Sequence, residues 1–130
     1  MADPVTASLP DDGGAYALYF ELSAPVVLPI ARLRNPVLDP GTYVYAGSAY
    51  GPGGIRARVA RHLRSDKNPH WHVDHLTARV AAARVETFPG GMECDLVTDL
   101  LAAGGDTPVP GFGSSDCKTC TAHLVRLAGE

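Results

Sequence analysis

The period of apolar and polar positions changes several times along the chain, and each change predicts an element. Residues 15–22 are aromatic or apolar at every position but Glu21, the pattern of a strand covered on both faces. Residues 26–31 read as a second strand, which Pro29 confines to an edge or a bulge. After the turn signals Asn35-Pro36 and Asp39-Pro40-Gly41, residues 42–46 form a short third strand rich in β formers. Residues 47–54, broken by Gly47, Gly51, Pro52, Gly53 and Gly54, make a loop that feeds a helix from about Ile55, with Ile55, Val59 and Leu63 on one stripe. Asn68-Pro69 supplies an N-cap and a first-turn proline, so a second helix is predicted over 68–78. A strand over 80–88 follows, then a helix over 93–103 with Leu96, Val97, Leu100 and Leu101 at helical spacing, ended by Gly104-Gly105. A short strand over 122–127 comes last. The order β-β-β-α-α-β-α-β predicts an α+β two-layer domain: a small, mostly antiparallel sheet flanked by helices, without internal repeats.

Composition narrows the picture. At 130 residues, 45% hydrophobic, the chain suits one compact domain, expected over 14–130. Residues 1–13 carry three aspartates, two prolines and no basic group, and are expected to be a flexible leader. No apolar run approaches the roughly 20 residues a bilayer crossing needs, and no basic stretch precedes an apolar core at the N-terminus. A cytoplasmic protein without a membrane role is therefore expected. A net charge of −3 excludes a binder that coats nucleic acid with its whole surface. Three cysteines, an odd number at low density, read as thiols or metal ligands rather than a disulfide framework.

Charge is unevenly spread. Residues 54–68 hold Arg56, Arg58, Arg61, Arg64 and Lys67 against the single acid Asp66, while the first 31 residues contain no Lys or Arg. That polarisation suits an edge facing phosphate, although a solvated helix face produces the same run. Arg58 and His62 lie one turn apart and flank the Ile55, Val59, Leu63 stripe, which puts both at the core boundary. Glu93 falls within the stripe of Leu96, Val97, Leu100 and Leu101, whereas Asp95 and Asp99 point to solvent. Capping the helix start would not need an inward carboxylate; one that faces inward needs a cation, either Arg58 or a metal. Tyr43 and Tyr45 share a strand face by the two-residue period, and such tyrosines are ordinarily packing residues.

Taken together, Gly14-Ala15-Tyr16, Tyr45-Ala46-Gly47 followed by Ser48, the run Ile55-x-x-Arg58-x-x-x-His62, and Glu93 at the start of a later helix resemble the GIY-YIG nuclease superfamily in order and spacing. Through residues 43–49, Arg61-His62-Leu63, residues 70–74 and residues 112–117, the chain from Gly14 onward looks like the superfamily's stand-alone Uri-type branch. Alanine replaces the middle residue of both signatures. The distance between Gly14 and Tyr45 is long, consistent with an inserted hairpin over 26–39.

The resemblance implies an endonuclease that hydrolyses phosphodiester bonds in nucleic acid, DNA before RNA, with one divalent cation. Glu93 would hold that ion, magnesium or manganese, at the scissile phosphate. Tyr45, assisted by Tyr16, would take a proton from the attacking water. A phenol is a poor base at neutral pH, so the metal, Arg58 or His62 must favour its ionised form. Arg58 would neutralise charge growing on the phosphoryl oxygens, and His62 would orient or relay the proton. Ser48, Arg56, Arg61, Arg64, Lys67 and His72 are the expected substrate contacts. The implied setting is DNA repair, with a dimer or a partner repair protein lending grip on long duplexes.

A separate cluster, Cys117-x-x-Cys120-x-x-His123, would make with Cys94 a zinc set of three cysteines and one histidine, but its spacing is tighter than a zinc finger's and Cys94 adjoins Glu93, so ordinary thiols are the favoured reading. Two alternatives to the nuclease follow: a nucleic-acid-binding module with little or no catalysis, with or without zinc, and a zinc-stabilised interaction domain.

Overall fold

The computed structural model describes residues 9–64, 72–113 and 121–128. Four antiparallel strands form the main sheet, in the order β5-β1-β4-β6: β1 (Gly14–Leu22), β4 (Gly41–Ala49), β5 (Arg84–Pro89) and β6 (Leu124–Arg126). Between β1 and β4 a hairpin of β2 (Val26–Val27) and β3 (Val37–Leu38) stands outside that sheet. Three helices complete the fold: α1 (Gly54–Leu63), α2 (His72–Thr77) and α3 (Glu93–Ala102). This is the expected small antiparallel α+β domain flanked by helices.

Register explains the core. Tyr16 pairs with Gly47, Leu18 with Tyr45 and Phe20 with Tyr43, so the large side chains of β1 and β4 share one face. Ile55 and Val59 of α1, Val73 and Leu76 of α2, and Leu124 of β6 close over that face. The reverse face is lined by small residues: Ala15 and Ala17 on β1 and Ala46 on β4 are all buried. There α3 packs Val97 with Ala46 and Val125, flanked by Leu96 and Leu100. Leu101, expected on the same stripe, sits in the last turn and is 41% exposed.

Four segments differ from the pattern-based reading. The third strand runs on through Gly47 and Ser48 to Ala49 instead of giving way to a loop at Gly47, because those residues pair with Tyr16, Ala15 and Gly14. The second strand shrinks to two residues because Pro29 cannot donate to a ladder and the chain then turns through Ala31–Leu33, with Arg34 and Asn35 at positive φ. Its partner is β3 rather than the main sheet, and Leu28, Ile30 and Leu38 are buried in the main core. The strand expected from Val80 begins only at Arg84, because the amides of Arg79 and Val80 still bond the Leu76 carbonyl at the end of α2. Residues 9–13 of the expected leader pack: Leu9 is buried, and the carbonyls of Pro10 and Asp12 accept the amides of Arg56 and Ile55 in the first turn of α1. The predicted N-cap Asn68 lies outside the described residues. Among the described residues, no helix is long and apolar enough to cross a membrane.

Candidate active site

The sheet brings the two tyrosine signatures together. Because Tyr16 sits opposite Gly47 in the β1–β4 register, its ring lies across β4, and a Cβ at position 47 would overlap the phenol. Glycine is needed there for close approach rather than for an unusual backbone angle. The ring centroids of Tyr16 and Tyr45 are 6.4 Å apart, and His62 packs at 5.4 Å from the first and 6.1 Å from the second. Phe112 stands edge-on to Tyr45 at 6.1 Å. Gly113, at φ +69°, passes so close to the Tyr45 ring that a Cβ there would crowd it.

The polar geometry orders this cluster. The Tyr16 hydroxyl and His62 Nε2 are 2.6 Å apart in a buried setting. On the other side of the ring, His62 Nδ1 faces Asp74 Oδ1 at 3.7 Å. That is too long for a hydrogen bond, but the carboxylate's charge favours the tautomer with the proton on Nδ1, in which Nε2 accepts the Tyr16 O–H. Asp74, whose side chain is fully buried, also accepts two hydrogen bonds from Arg61, at 2.9 and 3.1 Å. The arrangement is a buried chain from phenol through imidazole to carboxylate, clamped by a guanidinium.

Protonation follows from burial. Desolvation pushes both phenols well above the ordinary tyrosine value; for Tyr16 the neighbouring Tyr45 adds to it, for Tyr45 the Glu93 charge does, and Arg58 opposes the shift in both. Burial lowers His62, while Asp74 works against that shift. The resting site therefore holds two neutral phenols and a neutral imidazole.

The remaining predicted residues fall in distinct places. Arg58 is half-buried on α1, donates to the Ser48 carbonyl at 3.2 Å, and acts electrostatically on both phenols, as does Glu93. Arg58 and Arg61 line a pocket of about 130 Å³ with Ala49, Pro52 and Ala57. Arg56 donates to the Leu9 carbonyl at 2.7 Å, so it ties down the segment ahead of β1. Arg64 is exposed at the end of α1. His72 accepts the Gly113 amide at 2.8 Å through Nδ1 and lies 5.6 Å from Phe112; burial lowers its pKa. It latches the 112–113 loop against Tyr45. Lys67, Cys117 and Cys120 lie outside the described residues.

Glu93 and Cys94 open α3, and their donor atoms lie within 4.8 Å of one another and of the buried His123 ring. A divalent cation fits this donor set, with Glu93 contributing oxygen. Asp74 stood in the sequence only within the 70–74 motif and was given no role in the site, since its pairing with Arg61 joins two helices and leaves no periodic trace. Gly113 was visible only through its motif.

Comparison with curated proteins and with solved structures finds no match. A family described as Domain of unknown function DUF123 matches residues 15–130, nearly the whole chain, and the protein belongs to that family.

Proposed function

We propose that this protein is a metal-dependent endonuclease of the GIY-YIG type, in the Uri-type branch, that hydrolyses phosphodiester bonds in DNA and acts in the cytoplasm, in DNA repair. The observation that carries the reading is the convergence of Tyr16, Tyr45 and His62 in one buried cluster on which Arg58 and Glu93 both act electrostatically. These residues come from two strands and two helices, and packing alone does not require their polar atoms to meet.

In this reading Tyr16 orients the attacking water and passes its own proton to Nε2 of His62 as it takes one from that water. Asp74 stabilises the imidazolium that forms. Relay through His62 answers the weakness of a phenol as a base, because burial keeps both phenols protonated at rest. Tyr45 supports the orientation of Tyr16 and the water. Arg58 neutralises charge that grows on the phosphoryl oxygens. Glu93 would hold the divalent cation, magnesium or manganese, which polarises the phosphate when bound.

A second reading, a nucleic-acid-binding module with little turnover, is favoured by one observation: Arg56 and Arg61, two of the expected phosphate contacts, are engaged with the Leu9 carbonyl and Asp74. In either reading, a second copy or a partner repair protein would supply the missing grip on long DNA. The test is cleavage of labelled single-stranded, duplex and branched DNA and of RNA by purified protein with magnesium or manganese. Metal-dependent nicking by wild type that Glu93→Gln and Tyr16→Phe abolish supports the nuclease. Salt-sensitive binding without cleavage of any substrate supports the module instead.

A further inference from the structure

We propose that Glu93, Cys94 and His123 form a mixed carboxylate, thiolate and imidazole site for a zinc-class divalent ion. The site rests on these three donors, not on the nuclease reading, although it shares Glu93 with it.

The geometry is already close. All three donor atoms lie within 4.8 Å of one another, and Cys94 Sγ is 3.9 Å from His123 Nε2. Ligand atoms around a tetrahedral zinc lie roughly 3.3–3.8 Å apart, given bonds of about 2.0–2.3 Å. The cluster therefore contracts by about an ångström on binding, within reach of side-chain rotation.

The scaffold holds the donors from independent directions. The His123 amide donates to the Phe112 carbonyl at 2.8 Å and its carbonyl accepts the Ala46 amide at 2.9 Å, so the ring, with the residue only 3% exposed, is fixed between β4 and the 112–113 loop. Glu93 and Cys94 occupy the first turn of α3, where the helix end favours negative side chains, a thiolate included. One turn further along α3, Val97 packs with Ala46 and Val125, which anchors the helix that carries both donors.

Donor chemistry sets the ion. Magnesium takes oxygen ligands in an octahedron and keeps several waters. A sulfur and an imidazole nitrogen beside one carboxylate instead select zinc and its neighbours in the transition series. The zinc set of three cysteines and His123 suggested by spacing leaves Glu93 out; the observed cluster brings it in.

The test uses the full chain, stripped by a chelator and titrated with zinc and with cobalt. Expected are one equivalent bound, a near-ultraviolet sulfur-to-cobalt charge-transfer band and the intense visible bands of a tetrahedral ion. Cys94→Ser should remove the charge-transfer band, and Glu93→Gln should weaken zinc binding roughly tenfold or more. Both residues are only half-buried, so the variants are expected to fold, with far-ultraviolet circular dichroism as the check. No stoichiometric binding overturns the proposal. So does a charge-transfer band that survives Cys94→Ser, or zinc affinity indifferent to Glu93→Gln, which would move the ion to Cys117 and Cys120. Wild type that binds zinc without cutting nucleic acid would refute the nuclease alone, and magnesium-dependent cutting without zinc binding would refute this site alone.

Discussion

The hydroxyl of Tyr16 and Nε2 of His62, from β1 and α1, lie 2.6 Å apart with both side chains buried. Under the proposed nuclease reading a proton leaves the cluster from phenol to imidazole, with Asp74 on the far side of the ring at 3.7 Å.

Tyr16→Phe removes the donor and leaves a buried imidazole nitrogen unsatisfied. Unfolding in urea should show a loss of about 1–3 kcal/mol. Nicking should fall by roughly 10²–10⁴, the usual worth of positioned proton transfer. A variant as active as wild type would place Tyr16 in packing only.

Replacing Asp74 and Arg61 should move His62 in opposite directions, since the Asp74 charge raises its pKa and the Arg61 charge lowers it. Asp74→Asn therefore lowers the His62 pKa, and Arg61→Ala raises it. Imidazole proton shifts followed by NMR against pH read both changes. Each variant should also be less stable, by up to about 3–5 kcal/mol where a buried ion pair loses one partner. Equal shifts of the same sign would show that Asp74 does not act on the imidazole.

The pH dependence of stability has two edges. His62 is depressed in the folded state, so its contribution is complete above the ordinary histidine value of about 6.5 and is lost as pH falls through the folded value. Tyr16 and Tyr45 are raised, so theirs is complete below the ordinary phenol value of about 10 and is lost as pH rises past it. Chemical denaturation across pH should show a plateau between these edges for wild type, and His62→Gln should shorten the acid-side decline. An unchanged decline in that variant would assign the edge to other groups.

Gly47→Ala places a methyl group against the Tyr16 phenol, which β1–β4 pairing prevents from stepping aside. The expected cost is about 1–3 kcal/mol from overpacking, with loss of activity beyond what the remaining folded fraction explains. Gly51→Ala, where a Cβ meets open space, is the control that should change neither.

Much of this architecture was legible in the pattern of residues. The aromatic run of β1, the stripe of Ile55 and Val59, and the solvent-facing Asp95 and Asp99 on α3 follow from period alone, because one face of each element must be buried. The two tyrosine signatures and the Arg58, His62 spacing also located the cluster. What stayed hidden depends on contacts between distant segments. Arg61 carries the same charge as its neighbours on α1, and only the packing of α2 against that helix shows it paired with Asp74. His72 offered a ring with two nitrogens, and only the path of the 112–113 loop assigns one of them to a backbone amide. The zinc set read from spacing already joined Cys94 to His123; what it missed was Glu93, which only the meeting of the first turn of α3 with the segment ahead of β6 brings beside them.

The strap formed by residues 9–12 has a practical consequence. Composition invites a cut at Gly14, yet Leu9, Pro10 and Asp12 lend their carbonyls to α1, which carries both Arg58 and His62. A protein shortened to Gly14 would expose the first-turn amides of that helix and free it to shift along β1, so an inactive trimmed protein would report a lost brace rather than an absent activity.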